Sequence, residues 1–195
     1  MDPENFEEVK SNFDSSGELR PAKIAIVGRP NVGKSTIFNR LAGKKLAIVN
    51  DTPGVTRDIR EVRSKLRGHS MVLMDTAGFE NAKGHKIEAK MRAQTELAVL
   101  DADIVLFVYD AREGVTPLDR NFAQYVRRSN KTTFLVANKC ESSAADAGIT
   151  DGYSLGMGDP IEVAAEHNIG FGELDDAVEL ALRDVDLNIR DDNID

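Results

Sequence analysis

One octapeptide, GRPNVGKS at 28–35, constrains the fold of this 195-residue chain more than any other feature. It follows a short apolar run, KIAIV (23–27), and precedes a helical pattern through Ile37, Phe38 and Leu41 that stops near Gly43. Strand, loop and helix in that order are what G-x-x-x-x-G-K-[ST] requires in order to cradle phosphates. Gly28 and Gly33 let the backbone bend so that its N–H groups face the β- and γ-phosphates of a nucleotide. Lys34 brings a point charge to the β/γ oxygens, and Ser35 offers a hydroxyl to Mg²⁺. The helix N-terminus adds its dipole. The nucleotide-facing set in this loop is therefore Gly28, Asn31, Val32, Gly33, Lys34, Ser35 and Thr36. A glycine turn with an incidental Lys-Ser pair is the competing reading, and the flanking strand and helix disfavour it.

Downstream, strands alternate with helices. EVRSKL (61–66) alternates apolar and polar residues as a half-exposed strand does, while SMVLMD (70–75) and DIVLFVYD (103–110) read as buried strands. The pattern predicts helices over about 86–100 and 117–128, then the strand TTFLVAN (132–138). IEV (161–163) is a weak strand, and 172–182 a last helix with Leu174, Val178 and Ala181 on one face. This alternation predicts an α/β fold of the P-loop NTPase kind. It is a three-layer sandwich with a mostly parallel six-stranded sheet and one antiparallel edge strand. That edge would be EVRSKL, blunted by the row Arg63, Lys65 and Arg67.

Three further motifs sit at strand ends. In DTAG (75–78), Asp75 can hold Mg²⁺ through a water and the Gly78 N–H can reach a γ-phosphate. Alone it is weak, because Asp at a strand end is commonly a cap or turn residue; after a P-loop it becomes strong. In NKCE (138–141), a Glu141 carboxylate could accept from both the N1–H and the amino group of guanine, an arrangement adenine does not offer. Asn138 could bond the base edge and neighbouring loops, and the stem of Lys139 could cover a ring face. A polar loop is the alternative reading of NKCE. In AAEH (164–167), the small Ala164 and Ala165, with Glu166, would let backbone N–H groups approach a guanine O6; a helix-cap region is the alternative.

Charge is unevenly placed. Residues 1–20 carry six acids and two bases and residues 184–195 five acids and one base, leaving 22 of each sign between them. The neutral core thus lies between two acidic segments without sustained periodicity, which read as tails or linkers. Acidic tails repel phosphate backbones, so strong binding of free nucleic acid by this chain is not expected. No apolar run approaches the roughly 18 residues of a membrane span, and no secretory h-region opens the chain. The single Cys140 cannot close an internal disulfide. A cytoplasmic protein without membrane contact is the expectation.

Taken together, GRPNVGKSTIFNRL, NDTPGVTRD, MDTAGFE, LDADIVLFVYDAREGVTPLD, NKCE and AAEH resemble the translation-factor-related GTPases over about residues 22–183. The resemblance is narrowest to the first GTPase domain of the EngA (Der) family of bacterial ribosome-assembly GTPases. It implies a GTP-binding domain over 21–183, flanked by a disordered acidic tail (1–20) and an acidic linker or tail (184–195). It implies a switch that hydrolyses GTP to GDP and phosphate and acts in large ribosomal subunit assembly. Thr56 is then the switch I threonine that meets Mg²⁺ and the γ-phosphate, with switch I over about 49–60 and switch II over about 75–90. Family members usually continue into a second GTPase domain and a KH-like domain, so the chain reads as an excised first domain or a short relative. Where the family usually has Asp and Ser, this chain has Glu141 and Ala164.

One residue complicates hydrolysis. In Ras-like enzymes a Gln after this glycine orients the attacking water, but here the residue is Phe79. The resemblance implies a potassium ion in its stead, held partly by a P-loop Asn, and Asn31 occupies that position. The implied catalytic set is Lys34, Thr56, Gly78 and Asn31, with Ser35, Thr56 and Asp75 on Mg²⁺ and Asn31 on K⁺. Asn31 could instead only brace the loop through its backbone. A nucleotide-sensing module with negligible hydrolysis is the alternative function, and Phe79 favours it; an ATP-dependent enzyme is contradicted by NKCE. Arg57, Arg60, Arg63, Lys65 and Arg67 read as a solvated edge before an RNA contact. His69, His85 and His167 lack metal-site spacing, and Met71, Met74 and Met91 read as core filler.

Overall fold

The computed structural model describes residues 20–43, 47–48, 59–76 and 85–191. In chain order, β1 (Ala22–Val27) leads into α1 (Lys34–Ala42), followed by β2 (Ala47–Ile48), β3 (Arg60–Leu66) and β4 (His69–Asp75). Then come α2 (His85–Asp101), β5 (Ile104–Asp110), α3 (Pro117–Arg128), β6 (Thr132–Asn138), α4 (Asp146–Gly152), β7 (Ile161–Glu162) and α5 (Phe171–Asp191). The sheet order is β2-β3-β4-β1-β5-β6-β7. From β4 to β7 every pairing is parallel, and β3 reverses against β4. All six expected strands are present. The two-residue β2 adds a seventh, with Ala47 opposite Arg63 and Ile48 opposite Val62, so β3 is an edge only outside that contact.

Side chains alternate along a strand, so the sheet feeds two cores. Ile24, Ile26, Leu106 and Val108 enter one, with Ile37 and Phe38 of α1 and Leu174, Val178 and Leu182 of α5. Ala25, Val27, Val105 and Phe107 enter the other, with Val99 of α2 and Phe122 and Val126 of α3. The connection leaving β1 crosses one face and that leaving β5 crosses the opposite face. A crevice therefore opens at the carboxyl ends of these neighbours, where open α/β sheets bind their ligands.

The acidic 184–195 stretch departs from the sequence reading at its start, because α5 continues to Asp191. Val185 packs against the core and Asp186 meets His69 at 2.7 Å. Arg67, in the turn between β3 and β4, pairs with Asp176 and Glu179 of α5 at 2.6 Å each, so it ties a helix down as well as ending an edge strand. At the other end, residues 1–19 lie outside the described residues, while Arg20 grips both oxygens of Asp103 at 2.7 and 2.9 Å. Among the described residues no helix is long and apolar enough to cross a membrane.

Candidate nucleotide site

The phosphate end is shaped by backbone. A Cβ on Gly28 would lie 2.2 Å from the Val108 carbonyl oxygen, so only glycine lets the loop pass β5 this closely. Gly33, at φ 99°, caps α1 without a side-chain bond, which leaves the helix N–H groups facing the loop. Lys34, 3% exposed, donates through Nζ to the Arg29 carbonyl at 2.8 Å. Ser35 Oγ donates to Asp75 Oδ2 at 3.0 Å, which joins the start of α1 to the end of β4. Both are hard oxygen ligands. Mg²⁺ prefers one or two such groups together with phosphates over an all-protein cage, so the pair fits that ion. Among the described residues no cluster of three or more His, Cys, Asp or Glu could hold a metal by itself. Thr56, Gly78 and Phe79 lie outside the described residues, as do most of switch I and the turn after Thr76.

At the base end, β6 delivers Asn138, which is 3% exposed. Its Nδ2 donates to the Val32 carbonyl at 2.7 Å and its Oδ1 accepts from the Ala165 N–H at 3.0 Å. One amide therefore fastens the P-loop to the loop after β7. Gly33 makes room for it, since a Cβ there would stand 2.1 Å from Asn138 Nδ2. Lys139, at φ 69°, donates to the Asn31 carbonyl at 3.0 Å and pairs with Asp110 Oδ2 at 2.5 Å. The bracing role of the Asn31 backbone is thus visible, while its side chain is exposed. The Ala164 N–H donates to the Ile169 carbonyl, so the first two N–H groups of AAEH are both engaged within the chain.

These parts enclose a cleft of about 220 Å³ lined by Asn31, Gly33, Ser35, Asn138, Lys139 and Glu141, among others. Thr36, Ala165 and Glu166 also reach it. A groove of about 470 Å³ between α2 and α3 contains none of the expected site residues. Two arginines that the motifs did not single out support the cleft. Arg112 lines it, 3.4 Å from Glu141 Oε1. Arg40, on α1, donates to the Ala165 and Glu166 carbonyls at 3.2 Å each. The signal for Arg112 lay in the run YDAREG, which carried the resemblance without a chemical role attached. Arg40 had no signal, because its partners are backbone atoms distant in sequence.

A glycine-shaped phosphate loop and a base-facing strand end, joined at the carboxyl edge of a parallel sheet, define a P-loop nucleotide-binding domain. The chain belongs to the family described as 50S ribosome-binding GTPase, which matches residues 23–139. It is 56% identical over 156 residues to the GTPase Der of Parvibaculum lavamentivorans, covering 80% of this chain and 33% of that protein. It is 50% identical over 169 residues to the GTPase Der of Rhodopseudomonas palustris, covering 87% and 37%. The chain spans about a third of the length of these curated relatives. Era in complex with MgGDPNP and 16S ribosomal RNA nucleotides superposes with a TM-score of 0.64 at 26% identity, covering 85% of this chain and 57% of that one. Aquifex aeolicus Era bound to GDP and aluminium fluoride gives 0.62 at 26% identity, with the same coverage.

Proposed function

We propose that this domain binds GTP with Mg²⁺, hydrolyses it to GDP and phosphate, and serves as a switch in large ribosomal subunit assembly. The observation that carries the reading is the Asn138 bridge, which brings the P-loop and the loop after β7 together at one cleft. Lys34 transfers from the Arg29 carbonyl to the β/γ oxygens, and the N–H groups of the loop and of α1 receive the phosphates. Ser35, Asp75 through a water, and Thr56 would hold Mg²⁺, which would supply positive charge to the phosphates, and the Gly78 N–H would reach the γ-phosphate. Water attacks the γ-phosphorus in line, the bond to the bridging β–γ oxygen breaks, and GDP leaves with that electron pair.

Glu141 accepts from the guanine N1–H and amino group, the Lys139 stem covers a ring face, and Ala164, Ala165 and Glu166 leave space at O6. The GTPase character of the family, and Era structures with GDP and aluminium fluoride and with MgGDPNP, support hydrolysis over the binding-only alternative. The G domain covers 21–183 with the remainder of α5 appended to it. Der relatives and the ribosomal RNA in one Era complex support the ribosomal setting, and the free thiol of Cys140 suits a reducing cytoplasm.

Phe79 itself offers the water no side-chain acceptor; in this reading the Asn31 side chain would hold a K⁺ ion, which would supply positive charge beside the phosphates. Single-turnover GTP hydrolysis with Mg²⁺, in KCl and in NaCl at matched ionic strength, is expected to be at least about tenfold faster in K⁺. Asn31→Ala should abolish that difference. Equal rates in the two salts, or full stimulation of the variant, would remove K⁺ from the mechanism; no turnover in either salt would remove hydrolysis by this domain alone.

A further inference from the structure

The run YDAREG resembles its family closely, yet phosphate chemistry and base reading leave it without a task. Asp110 closes β5 beside Asn138, the residue that closes β6, and the Ala111 N–H donates to the Asn138 carbonyl at 2.9 Å. Asp110 is almost fully buried and divides its carboxylate. Oδ2 pairs with Lys139 at 2.5 Å, and Oδ1 accepts the Arg112 N–H at 2.9 Å. The Arg112 guanidinium then stands between two carboxylates, 4.0 Å from Asp110 Oδ1 and 3.4 Å from Glu141 Oε1. Charges of alternating sign thus run Lys139, Asp110, Arg112, Glu141, and both ends of the run belong to the base-facing motif. Lys139 needs such a hold, because a non-glycine residue at φ 69° is conformationally costly. Glu141 needs one for a different reason. A glutamate has one more rotatable bond than an aspartate, so an unrestrained carboxylate spreads over more rotamers and meets a planar donor pair less often.

We infer that Arg112 is a specificity-determining positioning residue, which holds the Glu141 carboxylate at the orientation that reads the guanine amino group. The inference rests on Glu141 reading the base. Arg112 approaches Glu141 at Oε1, on the rim of the cleft that both residues line. Its side chain is 47% exposed and that of Glu141 28%, so the pair acts through restraint and is worth what partly solvated ion pairs are worth.

The test compares GDP with IDP, which lacks the 2-amino group, by titration of the 195-residue chain and its variants. Arg112→Ala is expected to reduce the preference for GDP over IDP about two- to fivefold while IDP affinity stays within about twofold. Arg112→Lys should recover part of the preference, and about 1 M salt should erase the difference between Arg112→Ala and the parent by screening the pair. Glu141→Ala separates this inference from the reading beneath it and should lower the preference at least about tenfold. If Glu141→Ala has that effect and Arg112→Ala has none, Arg112 is not a positioning residue and base reading stands. Equal loss of GDP and IDP affinity in Arg112→Ala would also overturn the inference, because that is the signature of general loop support. If Glu141→Ala leaves the preference intact, base reading by Glu141 falls and the inference falls with it.

Discussion

The two ends of the nucleotide cleft are held by different physics. At the phosphate end, position comes from backbone and from buried groups: Gly33 at φ 99°, and Lys34 and Asp75 each 3% exposed. At the base end, the hold weakens outward from Asn138 in the core, through half-buried Lys139, to Glu141 near the surface. Burial makes the first arrangement close to all-or-none. Removing one partner of a buried pair leaves the other unsatisfied, at about 1–3 kcal/mol, whereas an exposed ion pair contributes about 0.2–1 kcal/mol. A P-loop tolerates little change, and a base-reading loop can be tuned in small steps.

Asn138 belongs to both ends, and its removal is the strongest way to break the comparison. Asn138→Ala strips the partner from the buried Val32 carbonyl and the Ala165 N–H together. Folding stability should fall by about 2–4 kcal/mol in urea denaturation, and GDP affinity by at least about a hundredfold in titration. If stability falls by less than about 1 kcal/mol, the two ends are supported independently and the bridge is a bystander.

The phosphate end was legible in the sequence because its geometry is local. Two glycines, a lysine and a serine within eight residues, between an apolar run and a helical pattern, carry their own context. The six principal strands were legible for a similar reason, since β-rich apolar runs of seven residues such as β5 and β6 have few other uses. What stayed hidden depends on partners distant in sequence. Arg40 holds carbonyls 125 and 126 positions away, and nothing near Arg40 announces it. Helix α4, DAGITDG, has no expected element in its place, because two glycines in seven residues make a poor helix former. Its glycines are there for close packing: a Cβ on Gly148 would stand 1.8 Å from the Ala111 carbonyl oxygen, and one on Gly152 would stand 2.2 Å from the Tyr109 hydroxyl. The sequence also gives no hint that α5 runs on through an acidic stretch, because Val185 and Asp186 find their partners in another part of the fold.

Tyr109 sharpens the comparison at intermediate strength, because it supports the base end from beneath. It is fully buried in β5, and its hydroxyl donates to the Gly148 carbonyl at 3.1 Å, which holds α4 against the strand that ends in Asp110. Tyr109→Phe keeps the ring and removes the donor. Stability is expected to fall by about 1 kcal/mol, with GDP affinity within about twofold of the parent. A drop in affinity without a drop in stability would mean that α4 transmits strain to the cleft.

Cys140 offers the smallest test, and it lies between Lys139 and Glu141. Where those neighbours reach the cleft, Cys140 turns inward, and its Sγ donates to the Ala137 carbonyl at 3.3 Å. Burial pushes its thiol up to about 11 from an ordinary 9.0, and the nearby charge of Glu162 adds to the effect. Between those two values the folded chain keeps a proton that the unfolded chain has lost. The thiol's contribution to stability is therefore fully present below pH 9 and is lost as the pH rises toward 11. Cys140→Ala should flatten this alkaline limb, reducing the fall in Tm across it by about 1–3 °C once solvent screening of the half-buried thiol is allowed for. Alkylation of the parent at about pH 8 should be slow for the same reason, since the thiolate is the reactive form. Rapid alkylation there, or an unchanged alkaline limb in Cys140→Ala, would place the thiol on the solvent side and confine the buried hold of the base end to Asn138.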